Sequence, residues 1–155
     1  MCSSDLARGW ELFSHGVYNT RYLYGMDADQ EREVIADVKA TILRASGQPL
    51  SGWLSPALSN TTRTMDLLAE ADVMYTCDLM HDDQPLPVKV AAGRKLISMP
   101  YSLEVNDYTC LVLKRMTPRR YTETIKAQFD QLWEEGADHP QVRSEEHTSE
   151  LQSPC

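Results

Sequence analysis

Short apolar runs alternate with helical patterns along this chain, and this alternation limits the fold more than any other feature. The apolar runs predict strands at Trp10–Phe13, Ser51–Ser55, Val73–Asp78 and Leu96–Met99. Apolar residues at helical spacing lie between and after these runs, in the stretches 27–45, 60–71 and 117–136. Strands that alternate with helices are typical of parallel sheets covered by helices. The sequence therefore predicts the α/β class.

The predicted helices have recognisable start signals and apolar faces. Asp27 with Gln30 has the pattern of a capping box, Asn60 or Thr61 can cap the second helix, and Thr117 precedes Pro118 at the start of the third. The residues expected to face the core are Val34, Ile35, Val38, Ile42 and Ala45, then Met65, Leu67, Leu68 and Ala71, then Tyr121, Ile125, Phe129, Leu132 and Trp133. The charged residues expected to form a solvated face of the first helix are Glu31, Arg32, Glu33, Asp37 and Lys39.

His15 is the candidate catalytic residue, because it directly follows the first predicted strand. Ser14-His15-Gly16 breaks the apolar run, so the histidine lies where a strand ends and a loop begins. In α/β folds, ligand binding and chemistry concentrate at such strand ends. A histidine there can act as a metal ligand, a general base or a hydrogen-bond donor. The alternative is a structural histidine that caps the strand end through one ring nitrogen.

Two polar clusters follow later predicted strands and are candidate substrate-binding sites. Asp82 and Asp83 are adjacent carboxylates in a proline-punctuated loop, where they can accept hydrogen bonds from a nitrogenous substrate. The alternative for this pair is a turn with Asx caps. Glu104, Asn106 and Asp107 follow the last predicted strand and combine donors with acceptors. Such a combination suits recognition of a ureide or an amide.

Both ends of the chain match translations of a single short DNA sequence, read from one strand or the other. Arg143–Ser153 is identical to the translation of a common sequencing-library adapter, and Cys2–Leu6 to the translation of its complementary strand after a start codon. Agreement at both termini is not expected by chance. Residues 1–6 and 143–155 are therefore predicted to be adapter-derived and are excluded from fold reasoning. Residues 7–142 are expected to be a gene fragment.

The charge of the chain argues against polyanionic partners. The full sequence has 15 basic and 23 acidic residues and a net charge of -8. Removing Arg143, Asp5, Glu145, Glu146 and Glu150 with the predicted adapter-derived ends leaves 14 basic and 19 acidic residues, a net charge of -5. A mildly acidic chain is not expected to bind nucleic acid or an anionic membrane surface.

Cysteine spacing and hydropathy predict the compartment. Cys77 and Cys110, which lie outside the suspect ends, show no CxxC or Cys/His spacing. Neither a zinc cage nor a disulfide framework is indicated, so a reducing compartment, the cytoplasm, is expected. No run approaches the roughly 18 apolar residues that a membrane-spanning helix needs.

The run Glu11-Leu12-Phe13-Ser14-His15-Gly16 resembles the second motif of the polysaccharide deacetylase (NodB-homology) family, in which a strand ends in Ser-His-Gly. In that motif a second histidine follows four residues after the first, and Asn19 holds this place here. Ser14–Gly25 is more similar to the allantoinase-like branch of the family, which is linked to urate catabolism. Later stretches agree with that branch: Gly52–Pro56, Cys77–Asp78 through Asp82–Pro85, and Pro100–Asp107. The resemblance covers about Gly9 to Val142.

The resemblance implies a partial arc of a distorted (β/α) barrel of the glycoside hydrolase/deacetylase type. The family's paired-aspartate motif would precede Ala7, and its leucine-histidine motif would follow Val142. Members of the family use an aspartate and two histidines to hold a metal that activates water. Asn19 replaces one imidazole with a neutral amide, a poor ligand for zinc-like ions. No cofactor is therefore expected, and His15 would be the ligand of any zinc ion bound here.

The family's arginine-proline motif is also altered in this chain. Its arginine orients a catalytic aspartate, and the aligned place here is Leu54 or Ser55. The usual activation of the aspartate is therefore in doubt. Trp53, in the same segment, is a candidate for stacking on a substrate ring, with a buried core tryptophan as the alternative. Asn19 is also a candidate substrate-binding residue.

The resemblance implies that the parent protein hydrolyses a carbon-nitrogen bond in a cyclic or N-acyl amide. His15 would polarise the carbonyl or position water. The substrate would be a small amide or ureide, or an N-acetylated sugar, and a homo-oligomeric parent is left open. The alternative is a non-catalytic carbohydrate or ureide binder with a decayed metal site. The chain as written is expected to fold poorly and to be inactive alone, because an open barrel arc leaves sheet edges and apolar faces uncovered.

Overall fold

The computed structural model describes residues 6–91 and 93–142. Within these residues the chain forms two compact units. The first comprises the residues up to Leu79 together with Leu86–Met99, and the second comprises Met80–Pro85 together with the residues from Pro100 onward. The predicted adapter-derived ends, 1–6 and 143–155, lie outside the described residues except for Leu6.

The first unit contains a mixed sheet. Its strands are β1 (Gly52–Trp53), β2 (Tyr75–Thr76), β3 (Leu86–Pro87) and β4 (Ile97–Ser98), in the order β1-β2-β4-β3. β1, β2 and β4 run parallel, whereas β3 pairs antiparallel with β4. Ser14 adds an isolated parallel bridge to Trp53 beside β1. The predicted α/β class is confirmed, although each strand is shorter than its apolar run.

The predicted buried strand at Trp10–Phe13 is wrong. Trp10 and Phe13 are exposed, and only the following Ser14 pairs with the sheet. The side chain of Gln48 satisfies the backbone here instead of a strand, since its Oε1 accepts from Leu12 N at 3.3 Å and its Nε2 donates to Trp10 O at 3.1 Å. The apolar residues therefore precede the position where the chain meets the sheet, at Ser14, but do not themselves form a strand.

The helices of the first unit largely follow the sequence signals. α1 spans Ala28–Ser46, its N-cap Asp27 forms the predicted capping box with Gln30, and Gly47 ends it in a left-handed conformation at φ 74°. α2 spans Thr64–Glu70, and a short 3₁₀ helix spans Pro56–Leu58. The helix begins later than predicted, with Arg63 at its N-cap position, but Thr61 still caps the preceding turn, since its Oγ1 accepts from Arg63 N at 3.1 Å and its N donates to Thr64 Oγ1 at 2.8 Å. Buried apolar side chains of both helices and the sheet form one core: Leu23, Val34, Ile35, Val38, Leu50, Trp53, Leu67, Leu68, Ala69, Val73 and Leu96.

Glu31 corrects the prediction of a solvated charged face on α1. Its side chain is 0% exposed and accepts hydrogen bonds at 2.8 Å from Thr61 Oγ1, Thr64 Oγ1 and the Arg63 guanidinium. Position 31 precedes Val34 and Ile35 by three and four residues, so it lies on the same inward face of the helix. A buried carboxylate is tolerated there because polar partners surround it. Glu31 therefore ties α1 to the start of α2.

The second unit contains a π-helix at Tyr108–Leu113 and α3 at Pro118–Glu135. Thr117 caps α3 and Pro118 begins it, as predicted. The prediction of an aromatic core face is wrong for Phe129 and Trp133, which are 54% and 74% exposed and stack on each other at 6.2 Å. Helical spacing predicted a face, but the described residues provide no layer to cover this part of it. In the described part of the chain, no helix combines the length and the apolar character needed to cross a membrane.

Candidate functional site

The Ser14-His15-Gly16 turn holds its histidine by two local constraints. The buried Ser14 accepts a hydrogen bond from Gly16 N on its Oγ at 2.9 Å, which closes the turn around His15. Gly16 has a φ of 72°, a backbone conformation that is strained for residues other than glycine. A Cβ at Gly16 would also lie 2.7 Å from Cγ of Pro56. The glycine of the motif is therefore required by both conformation and space.

Gly16→Ala is expected to lower the free energy of unfolding by about 2–3 kcal/mol, from backbone strain and the overlap with Pro56. Urea denaturation measures the change. Gly25→Ala is the matched control, because Gly25 also has a positive φ of 88° but no atom within 4 Å of its Cβ position. Equal losses in the two variants would contradict the steric part of the explanation.

One ring nitrogen of His15 is engaged by the neighbouring strand. Nδ1 lies 3.2 Å from the carbonyl oxygen of Leu54, just past the end of β1. A carbonyl oxygen only accepts hydrogen bonds, so this contact requires the hydrogen on Nδ1. In the neutral ring, Nε2 then carries the lone pair and is the nitrogen that can accept a proton.

Ser55 and Asp78 form a buried pair at the ends of β1 and β2. Ser55 donates to Asp78 twice, from its backbone N to Oδ1 and from its Oγ to Oδ2, each at 2.6 Å. Trp53 Nε1 donates to the same Ser55 Oγ at 2.9 Å. Because β1 and β2 are parallel and Ser14 pairs with Trp53, the segments after these elements bring His15, Ser55 and Asp78 to one edge of the sheet.

Asp78 was not among the candidates chosen from the sequence. A carboxylate at the end of a buried apolar strand was a signal that could have identified it. Ser55, one of the two positions aligned with the family's arginine, does contact an aspartate, although through a hydroxyl and a backbone N–H rather than a guanidinium.

Burial raises the pKa of Asp78 above its ordinary range, although the hydrogen bonds from Ser55 and the charge of His15 act in the opposite direction. A carboxyl group with a higher pKa when folded binds more protons in the folded state. Its contribution to stability is complete below the unfolded pKa, about 3.9, and is lost as the pH rises through the folded value.

Asp78→Asn removes this pH dependence. Over the range from below the ordinary aspartate pKa to above the raised value, the stability of the wild type relative to Asp78→Asn is expected to fall. Denaturant titrations at a series of pH values measure both curves. Parallel curves, or a relative gain for the wild type at higher pH, would contradict the raised pKa.

The residues around His15 do not fit a metal site. No group of three or more His, Cys, Asp or Glu side chains within residues 6–91 and 93–142 is arranged to hold an ion. Asn19, at the place of the family's second histidine, is exposed. The nearest thiol, Cys77, is buried, and burial raises its pKa to about 11, which disfavours the thiolate that metals require.

A cleft of about 550 Å³ lies within the second unit and gathers three of the predicted substrate-binding carboxylates. Asp82, Asp83 and Glu104 line it, together with Met80, His81, Tyr101, Ser102, Leu103, Thr109 and Lys114. Asp82 also accepts from Gln84 N at 3.0 Å, so the predicted Asx turn is present as well. Glu104 accepts from Ser102 Oγ at 2.8 Å. The cleft therefore offers several oxygen acceptors and one lysine.

Two other candidates from the same polar stretch serve the local fold. Asn106 is buried, donates to the hydroxyl of Tyr101 at 3.1 Å and accepts from Thr109 N at 3.0 Å. Asp107 accepts from Tyr108 N at 2.6 Å at the start of the π-helix. Neither residue lines the cleft.

Trp53 cannot stack on a substrate in the described structure. Its side chain is 0% exposed, so the stacking prediction is wrong and the alternative, a core tryptophan, is confirmed. The reason is that the ring packs in the core, which includes buried side chains of α1 and α2.

Comparison with solved structures places this geometry among known folds. The chain is similar to the crystal structure of Puue allantoinase, with a TM-score of 0.79, 28% identity, and coverage of 91% of this chain and 47% of that one. A probable polysaccharide deacetylase from Pseudomonas aeruginosa gives a TM-score of 0.78 with the same identity and coverage. The predicted resemblance to the polysaccharide deacetylase family is confirmed. The expected fold class, part of a (β/α) barrel-type α/β fold, is confirmed by the same structures.

Sequence comparison agrees with this polysaccharide deacetylase-like fold. Over 100 residues the chain is 30% identical to the peptidoglycan deacetylase of Helicobacter pylori. The matched region covers 64% of this chain and 33% of that protein. No family profile matches the chain. The chain therefore spans about a third of the Helicobacter pylori protein and 47% of each of the two solved structures.

Proposed function

We propose that the complete protein is a hydrolase of carbon-nitrogen bonds other than peptide bonds. The observation that carries this proposal is the position of His15, whose Nδ1 forms a hydrogen bond with the carbonyl oxygen of Leu54 just past the end of β1. Similarity to proteins named as deacetylases and as an allantoinase supports the reaction class.

The tautomer of His15 favours one of its two expected roles. With the hydrogen on Nδ1, the neutral ring presents a lone pair on Nε2 and cannot donate from that nitrogen to a substrate carbonyl. His15 would therefore position a water molecule and accept its proton while the water oxygen attacks the carbonyl carbon. The carbon-nitrogen bond then breaks, and the departing nitrogen takes up the proton that His15 accepted from water.

The cleft of the second unit supports an amide or ureide substrate. Asp82, Asp83 and Glu104 are acceptors, and the N–H groups of a ureide or an acetamido sugar are donors. Lys114 can donate to a carbonyl oxygen of the same ligand. These substrate roles are part of the proposal for the complete protein.

The test is to recover the reading frame on both sides of codons 7–142 from the source DNA and to assay the encoded protein. Allantoin opening and acetate release from N-acetylated oligosaccharides are the two assays. We expect the complete protein to turn over one of these substrates and the 155-residue chain to turn over neither. A complete, folded protein that is inactive in each of the two assays would refute the proposed hydrolase activity.

A non-catalytic binder is the second candidate. It is favoured by Asn19, which puts an amide where a family member has a metal-binding histidine. Calorimetric titration with the same ligands distinguishes the two. Saturable binding without turnover by the complete protein would support the binder.

A further inference from the structure

The peptide group between Leu54 and Ser55 is hydrogen-bonded at both ends by side chains. Its carbonyl oxygen, on Leu54, accepts from His15 Nδ1 at 3.2 Å. Its N–H, on Ser55, donates to Asp78 Oδ1 at 2.6 Å. A trans peptide is planar and its C=O and N–H point in opposite directions, so the aspartate and the histidine lie on opposite sides of one rigid group.

The surrounding donors match the carboxylate form of Asp78. Trp53 Nε1 carries a hydrogen and can only donate, so Ser55 Oγ accepts from it. The hydroxyl hydrogen of Ser55 is then directed to Asp78 Oδ2, at 2.6 Å. Both carboxylate oxygens thus accept a hydrogen bond, and neither contact needs a proton on the acid.

We propose that Asp78 is a positioning residue that fixes the orientation and the tautomer of His15 through the Leu54–Ser55 peptide group. A charged acceptor on the N–H side polarises the peptide and makes its carbonyl oxygen a stronger acceptor. That oxygen then holds the hydrogen on Nδ1 of His15, which leaves the lone pair on Nε2. The catalytic value of this arrangement rests on the proposed function, but the arrangement itself does not.

This arrangement, a relay through one peptide group, gives a reason for a serine at position 55, which is, with Leu54, one of the two positions that align with the family's arginine. A guanidinium would bring a positive charge next to Asp78, whereas Ser55 supplies two neutral donors and adds no charge to that of the carboxylate. The charge then acts on the peptide group that Ser55 shares with Leu54. Trp53, buried beside them, fixes the direction in which the serine hydroxyl points.

Nitrogen NMR of the ring of His15, in the neutral state and in the isotope-labelled complete protein, tests the proposal. The wild type is expected to show the hydrogen on Nδ1. In Asp78→Asn, the ratio of the Nδ1–H to the Nε2–H tautomer is expected to fall about threefold or more, because a neutral acceptor makes a weaker hydrogen bond than a carboxylate. Asp72→Asn is the matched control, since Asp72 is an exposed carboxylate paired with Arg94, and the ratio is expected to stay unchanged.

Two outcomes would overturn the relay: a wild-type His15 with its hydrogen on Nε2, or an unchanged ratio in a folded Asp78→Asn chain. If Asp78→Asn does not fold, the amide proton of Ser55 in the wild type decides. A strong low-field shift supports the bond to a carboxylate, and an ordinary shift refutes it. None of these measurements uses turnover, so a failure of the relay is separate from a failure of the hydrolase.

Discussion

Replacing Trp53 with alanine is expected to lower the free energy of unfolding by about 3–5 kcal/mol, the usual loss for a large aromatic removed from a core. The ring is 0% exposed and belongs to the core formed by α1, α2 and the sheet. Its Nε1 also donates to Ser55, so the variant loses a buried hydrogen bond as well as packing. Such a loss is a large fraction of the roughly 5–15 kcal/mol that stabilises a typical domain.

Urea denaturation followed by circular dichroism measures this effect. Trp133→Ala is the matched control, because the same atoms are removed from a side chain that is 74% exposed. It is expected to change the stability by no more than about 0.5 kcal/mol. Similar denaturation midpoints for the two variants would show that Trp53 does not carry the core.

For the complete protein, the proposed hydrolase mechanism predicts that His15→Gln lowers kcat/KM by about 10²–10⁴-fold, the range for removal of a general base. Glutamine keeps a polar amide at this position but cannot take up a proton from water. The loss should therefore appear mainly in kcat, with the fold intact. Steady-state kinetics on allantoin or on an N-acetylated oligosaccharide measures it.

His139→Gln serves as the control for this prediction. His139 is an exposed histidine beyond the end of α3, and its replacement is expected to leave kcat/KM unchanged. A His15→Gln enzyme with full activity would remove His15 from the mechanism. A loss confined to KM would assign it to substrate binding instead.

Local signals in the sequence predicted most of the elements. The capping box at Asp27 and the Thr117-Pro118 start each define a helix boundary through contacts within a few residues, so the sequence is sufficient to identify them. The parallel pairing of β1 with β2 followed from the alternation of strands with helices, because α2 lies between them in the chain. The parallel pairing of β2 with β4 did not, because the antiparallel strand β3 lies between those two in the chain. The Ser-His-Gly run correctly indicated a turn beside the sheet, because that turn is closed by its own atoms and Ser14 pairs with Trp53.

Contacts between distant residues account for what the sequence did not show. Glu31 is buried because residues 61–64 supply its partners, and helical spacing gives a face without identifying its cover. Phe129 and Trp133 show the opposite case, in which an apolar spacing is present and the described residues leave it exposed. The Ser55–Asp78 pair joins positions 23 apart, so neither residue alone indicated it. The roles of Asp82, Asp83 and Glu104 in substrate binding stay predictions.

Pro87 determines which edge of the sheet can pair with a further strand. Val88 N donates to Leu96 O, and alternate residues of a strand face the same neighbour, so the nitrogen of Pro87 faces away from β4. That nitrogen carries no hydrogen, which leaves the outer side of β3 without a donor for a further strand. A strand that extends this sheet is therefore expected to add on the opposite side, beside Ser14. A strand added at that edge would then lie next to His15.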